Sequence, residues 1–191
     1  MLRGYPRNCS RSIKAIERRL MGLEGRSVGI RFLPALTADR SYLYSNRPHG
    51  QPVYAGSFIR KREIVLDQEL ESQPRELARI LVHELFHFAW VRLGNPARRS
   101  YEALVREEWK QRARGELGWS AESRKRLLSP AVLQTAESAS WREYLCESFC
   151  DTAAWIYSGV RQHPEYTLAA RHRNRRAKWF RDVFERGPIA I

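Results

Sequence analysis

Hydrophobic residues along the chain recur with two alternating periods, and the elements follow from them. From Ser10, SRSIKAIERRL places Ile13, Ile16 and Leu20 on one helical face before Gly22 and Gly25, which predicts an amphipathic first helix. Val28 to Leu33 (VGIRFL) alternates Val28, Ile30 and Phe32 with small or charged neighbours, a strand pattern ended by Pro34. The Tyr-, Pro- and Gly-rich stretch from Asp39 to Gly56 reads as a loop holding at most one short strand. Ser57 to Arg60 and Glu63 to Asp67 then form a strand or hairpin.

Ser72 and Pro74 make a helix start, with Ser as cap and Pro in the first turn. The helix runs through PRELARILVHELFHFAWVRL and stops at Gly94. Arg98 to Arg126 is charged and helical with breaks at Gly115 and Gly118, the pattern of an insertion or lid. Ser138 to Tyr157 is a further helix, ended by Ser158 and Gly159, and Pro164 opens a basic helix that reaches about Arg186. No internal repeat interrupts this order.

The length of 191 residues fits a single domain, 1–191, with a charged helical insertion at about 98–130 and a basic C-terminal helix at about 164–186. The first 25 residues carry six cations and no apolar core, so no secretory signal is expected, and no apolar run is long enough to span a membrane. Three cysteines, Cys9, Cys146 and Cys150, do not form a disulfide framework. A cytoplasmic location is expected. The formal charge of +13 suits a polyanion such as DNA, RNA or an acidic protein, or simply a solvated arginine-rich surface.

One segment changes the picture. Between Ile80 and Val91 (ILVHELFHFAWV) the polar side chains are His83, Glu84 and His87 alone, so a helix apolar on nearly every side must bury them. An unpartnered buried imidazole or carboxylate costs on the order of a few kcal/mol. Either core hydrogen bonds and an ion pair satisfy these groups, or a metal ion does. Residues four apart share a helix face, so both imidazoles can reach one Zn²⁺, and Glu84 can reach a water beside it as general base.

HELFH in this setting resembles the zincin metallopeptidases. The resemblance implies an α+β fold with a small, mainly antiparallel sheet packed on the HExxH helix, basic helices outside, and zinc-assisted hydrolysis of peptide bonds in a peptide or protein substrate. Metzincins require a histidine soon after His87, and FAWVRLGNPAR has none. The SprT-like proteases, which act at DNA, would need a third histidine; the next is His163, beyond a helix end. The chain is more similar to the gluzincins, whose third ligand is a Glu in an ExxxD pattern, and Glu147-Ser-Phe-Cys-Asp151 supplies one. Compact anti-repressor metalloproteases are a looser match.

By that resemblance Glu147 joins His83 and His87 on zinc and Asp151 orients a ligand histidine, with Glu143 as the competing third ligand. Thermolysin-like enzymes give oxyanion stabilisation to Tyr or His, for which Tyr157, His163 and Tyr166 are the candidates. Tyr54 to Asp67 would be the edge strand on which a substrate lies. Cys146 and Cys150 read as small buried residues or a soft-metal pair, while His49 and His172 read as loop and surface residues. The rival functions are a DNA-associated protease and a binding module with a structural or inactive zinc site.

Overall fold

From the N terminus the chain forms β1 (Leu2–Arg3), α1 (Ser10–Arg19), β2 (Leu23–Glu24) and β3 (Val28–Leu33). This computed structural model describes residues 2–128 and 138–191, apart from residues 21, 41, 48, 185 and 186. β1 and β3 are parallel neighbours because α1 carries the chain back between them. Ile13 and Ile16 of α1 and Leu20 just after it are fully buried with Val28 and Ile30 of β3, so both periods read from the sequence bury the expected faces.

The Tyr- and Pro-rich stretch is more ordered than its composition suggests. It holds β4 (Leu36–Asp39), β5 (Tyr42–Ser45) and β6 (Gln51–Pro52), an antiparallel three-stranded sheet in the order β5-β4-β6. Left-handed residues at Arg40 and Asn46 make its tight reversals, a turn role that the surrounding Tyr and Pro obscure. The chain returns as β7 (Ala55–Phe58) and β8 (Glu63–Asp67), joined by a short 3-10 turn.

The main sheet has the order β1-β3-β8-β7. Its β1/β3 and β3/β8 pairs are parallel and only β7/β8 is antiparallel, which corrects the expectation of a mainly antiparallel sheet. The cause is connectivity: helix α1 and the three-stranded excursion each return the chain to its starting end. β7 is left at one edge and β1 at the other. At the end of β8, the Asp67 carboxylate accepts the Leu36 and Glu69 amides, tying the excursion to the approach of the next helix.

That helix, α2 (Pro74–Arg92), is central. Pro74 opens it, but Ser72 does not cap it: the Ser72 hydroxyl donates to Glu69 O inside the preceding 3-10 turn. After Gly94 come α3 (Asn95–Lys110), α4 (Trp119–Arg126), α5 (Ala139–Tyr157), α6 (Ala170–Phe184) and β9 (Ile189–Ala190), which pairs with β2. The last helix begins at Ala170 rather than Pro164, because the Thr167 and Leu168 amides are held by Glu116 O in an irregular approach. Residues 129–130, at the edge of the expected insertion, and 185–186 lie outside the described residues.

The basic helices are not merely outside. Tyr101 and Val105 of α3 are fully buried, and Tyr101 packs edge-on to Phe149 of α5 at 5.6 Å. On α6, His172, Arg176 and Phe180 share the inner face, so His172 is a buried residue and not a surface one. Arg176 pairs with Glu108 and Glu116, and Glu116 also receives Lys125 and the Tyr144 hydroxyl. One buried ionic cluster thereby joins α3, α4, α5, α6 and the Glu116 loop. No helix among the described residues is long and apolar enough to cross a membrane.

Candidate metal centre and its cleft

α2 and α5 pack lengthwise, with Phe86 and Phe149 meeting at 5.8 Å. The periodicity that buries those rings turns His83 and His87 of α2 toward Glu147 and Asp151 of α5. His83 Nε2 lies 3.2 Å from His87 Nε2 and 3.2 Å from Glu147 Oε2, and His87 Nε2 lies 4.0 Å from that oxygen. Donors bound at about 2.0–2.1 Å to one tetrahedral ion stand about 3.3 Å apart, so this triangle fits a single ion with little movement. His83, His87 and Cys150 also offer one ligand atom each, all within 4.8 Å of one another, and this group could hold a metal ion.

The far nitrogens of the imidazoles are held from behind. Asp151 Oδ1 accepts His83 Nδ1–H at 2.8 Å, which directs Nε2 to the centre. Asp151 Oδ2 accepts the Ala121 amide at 2.8 Å and so fastens the first turn of α4 over the site. Gly118 makes that approach possible, since a Cβ there would stand 2.3 Å from the Asp151 carboxylate. Behind His87, Nδ1 meets Cys146 Sγ at 3.4 Å.

Charge at the centre is strongly polarised. Burial alone would lower the pKa of His83, but the Asp151 charge and hydrogen bond, together with Glu147, hold it well above its ordinary value. Burial likewise opposes the proton of His87, yet Cys146 and Glu147 raise it to about 9 against repulsion from His83. For Glu147 burial pushes upward and is outweighed by the His83 hydrogen bond and the charges of His87, His83 and Arg124, which bring the carboxyl to about 2. Burial and the neighbouring Cys146 push the Cys150 thiol well above its usual range. Without a metal ion, Glu147 is therefore ionised at neutral pH and the Cys150 thiol is protonated.

Glu84 sits beside the centre, 8% exposed, and its Oε2 takes the Ser57 hydroxyl of β7 at 2.6 Å. A cavity of about 310 Å³ opens over His83, Glu84, His87 and Glu147 and is floored by Ala55 to Ser57 of the edge strand. A second, of about 360 Å³, continues past His83 and Glu84 between Tyr54 and Trp119. Ser120 borders both. Beneath the second cavity Arg79 is neutralised by Glu76 and Glu165.

The remaining sequence candidates lie elsewhere. Tyr157 stacks on Phe86 at 5.4 Å, on the core side of α2. His163 pairs with Glu76 at 2.9 Å near the start of α2 and packs against Tyr166 at 5.5 Å. None of these three lines either cavity. Glu143 is exposed and faces Arg124 at 3.6 Å, which removes it from the centre. His49 is an exposed loop residue paired with Asp39. Ser57, Ser120 and Gly118 carry no motif that would have marked them.

Comparison of the chain with models of known protein families gives no match, and neither does comparison with curated proteins or with solved structures.

Proposed function

We propose that the chain is a zinc-dependent metallopeptidase of gluzincin type, with His83, His87 and Glu147 as ligands, Glu84 as general base and then proton donor, and Asp151 as the orienting carboxylate. The observation that carries this reading is the 3.2, 3.2 and 4.0 Å triangle of ligand atoms beside the Glu84 carboxylate, in a cleft floored by an edge strand. Zinc there would acidify a water towards a pKa of about 7 and polarise a carbonyl.

The protein groups have separable tasks. Glu84, fixed by Ser57, takes a proton from the attacking water and delivers it to the leaving amine. Asp151 holds the His83 proton on Nδ1. The outer edge of β7 pairs with the backbone of an extended peptide, whose apolar side chain fits between Tyr54 and Trp119. Ser120 and Tyr54 border the cleft as oxyanion donors in place of Tyr157 and His163.

The test pairs metal content with activity. The zinc-loaded protein should cleave a peptide mixture, and Glu84→Gln should lose about 10²–10⁴-fold in rate with its zinc retained. A Glu84→Gln variant as active as the parent would reject this mechanism, and a zinc-loaded parent that cleaves no peptide would reject the function. A second reading, a structural site closed by four protein ligands, draws on the proximity of Cys150 to both imidazoles. X-ray absorption separates the two: a sulfur neighbour at about 2.3 Å marks the closed site, and nitrogen and oxygen alone mark the open one.

A further inference from the structure

We infer that the exposed face of α1 is a binding surface for the phosphate backbone of a nucleic-acid duplex. Arg7, Arg11, Lys14 and Arg18 are all exposed and follow one another at steps of four, three and four, a stripe along one side of the first helix and the turn that leads into it. Neighbours at such steps lie about 5–6 Å apart, within reach of successive phosphates on a duplex. Among the described residues, none of these four side chains is in an ion pair or hydrogen bond. Glu17, the carboxylate on this side, is taken by the Leu2 amide at 2.8 Å.

The stripe borders two hollows that share Arg11. One, of about 610 Å³, is lined by Arg11, Lys14, Glu17, Arg18, Gly22 and Leu23, three cations to one carboxylate. The other, of about 270 Å³, adds Arg19 and Arg75. These two guanidinium groups are fixed, Arg19 to Ser158 O at 2.8 Å and Arg75 to Gln162 O at 3.2 Å. Gly159, at φ +79°, leaves room for the first, because a Cβ there would stand 2.6 Å from the Arg19 guanidinium. A cationic surface with fixed and free donors side by side suits a ridge of phosphates. Neither hollow shares a residue with the cavities at His83, so this surface is independent of the proposed peptidase site.

The kind of polyanion follows from what the face lacks. The large hydrophobic residues exposed among the described residues are Tyr42, Tyr54, Val91, Trp119 and Leu127, and none lies on this stripe. A protein partner needs an apolar centre to its interface. Single strands need aromatic platforms for stacking. A duplex contacted through its phosphates needs neither, and such binding is independent of sequence and steeply dependent on salt.

The experiment is fluorescence anisotropy of a short labelled duplex, as DNA and as RNA, titrated with the full chain over a range of salt. Arg11→Gln, Lys14→Gln and Arg18→Gln together should weaken binding by about tenfold or more and reduce the slope of log affinity against log salt by about 3, at about 0.9 per phosphate contact. All three positions are exposed, and an unchanged thermal midpoint verifies the fold of the variant. Arg40→Gln, Arg60→Gln and Arg112→Gln, an equal change of charge at exposed positions elsewhere, should leave the slope within about one unit. Either duplex behaving so supports the surface, and the tighter of the two names its nucleic acid. An equal loss from both triple variants, no binding of either duplex, or equally tight binding of single strands or polyglutamate would overturn it.

Discussion

His83 and Asp151 are joined at 2.8 Å across the α2–α5 interface, and the other oxygen of the same carboxylate holds the Ala121 amide at 2.8 Å. One side chain therefore sets both the orientation of the His83 ring and the closure of α4 over the cleft. An amide in its place has one acceptor oxygen and one NH₂ group, so it can serve only one of the two donors. Asp151→Asn should reduce zinc affinity by about 10–100-fold, read by competition with a chromophoric chelator. Undiminished affinity would separate Asp151 from the metal centre.

Much of this site was legible in the sequence, for reasons that differ from residue to residue. His83, Glu84 and His87 stood out because polar groups in an otherwise apolar helix require partners. Glu147 and Asp151 depended on a pattern of two carboxylates four apart, which places both on the face that meets α2. Ser57 and Gly118 were invisible, since their roles arise only when β7 and α4 are folded against α2 and α5. Tyr157 and His163 do not line the cleft, because chain proximity to the Glu147 helix does not say which face a side chain takes. The parallel sheet was missed for a similar reason: strand patterns give faces, while the direction of pairing comes from crossovers such as α1.

The charged region after Gly94 resembles an insertion in composition, yet its charges are what lock it in. Arg176 is fully buried among Glu108 and Glu116, with Tyr144 and Lys125 satisfying Glu116 further. Arg176→Met leaves two buried carboxylates without their shared cation, and removal of one partner from such a cluster costs about 3–5 kcal/mol. Chemical denaturation of the metal-free protein should show a loss of that order. A change below about 1 kcal/mol, the size of an exposed ion pair, would mean that water replaces the guanidinium and that these helices are not held by it.

The last prediction concerns protons at the centre. His87 rises from an ordinary 6.5 to about 9 and His83 rises as well, so in the metal-free protein both imidazoles hold protons that the unfolded chain would have lost by pH 7. A raised folded pKa contributes stability that is complete below about pH 6.5 and lost as pH climbs through about 9. Glu147 acts in the opposite sense: its carboxyl falls from 4.5 to about 2, so its contribution is present above pH 4.5 and lost as pH falls through about 2. The Cys146 thiol, lowered from 9.0 to about 6 by its Cys150 hydrogen bond and by His87, works against this by adding stability as pH rises through the same window. With both His83 and His87 raised, the thermal midpoint of the chelated protein should still decline between pH 6.5 and 9, with Glu147 fully ionised throughout. A divalent ion binds only neutral imidazoles and must displace their protons. Its affinity should rise with pH across that same window, and binding at pH 7 should release about one to two protons, measured by calorimetry in buffers of different ionisation enthalpy. Zero release would mean that the imidazoles are already neutral, and that the Asp151 and Glu147 carboxylates do not hold protons on the ring nitrogens in the way their 2.8 and 3.2 Å separations imply.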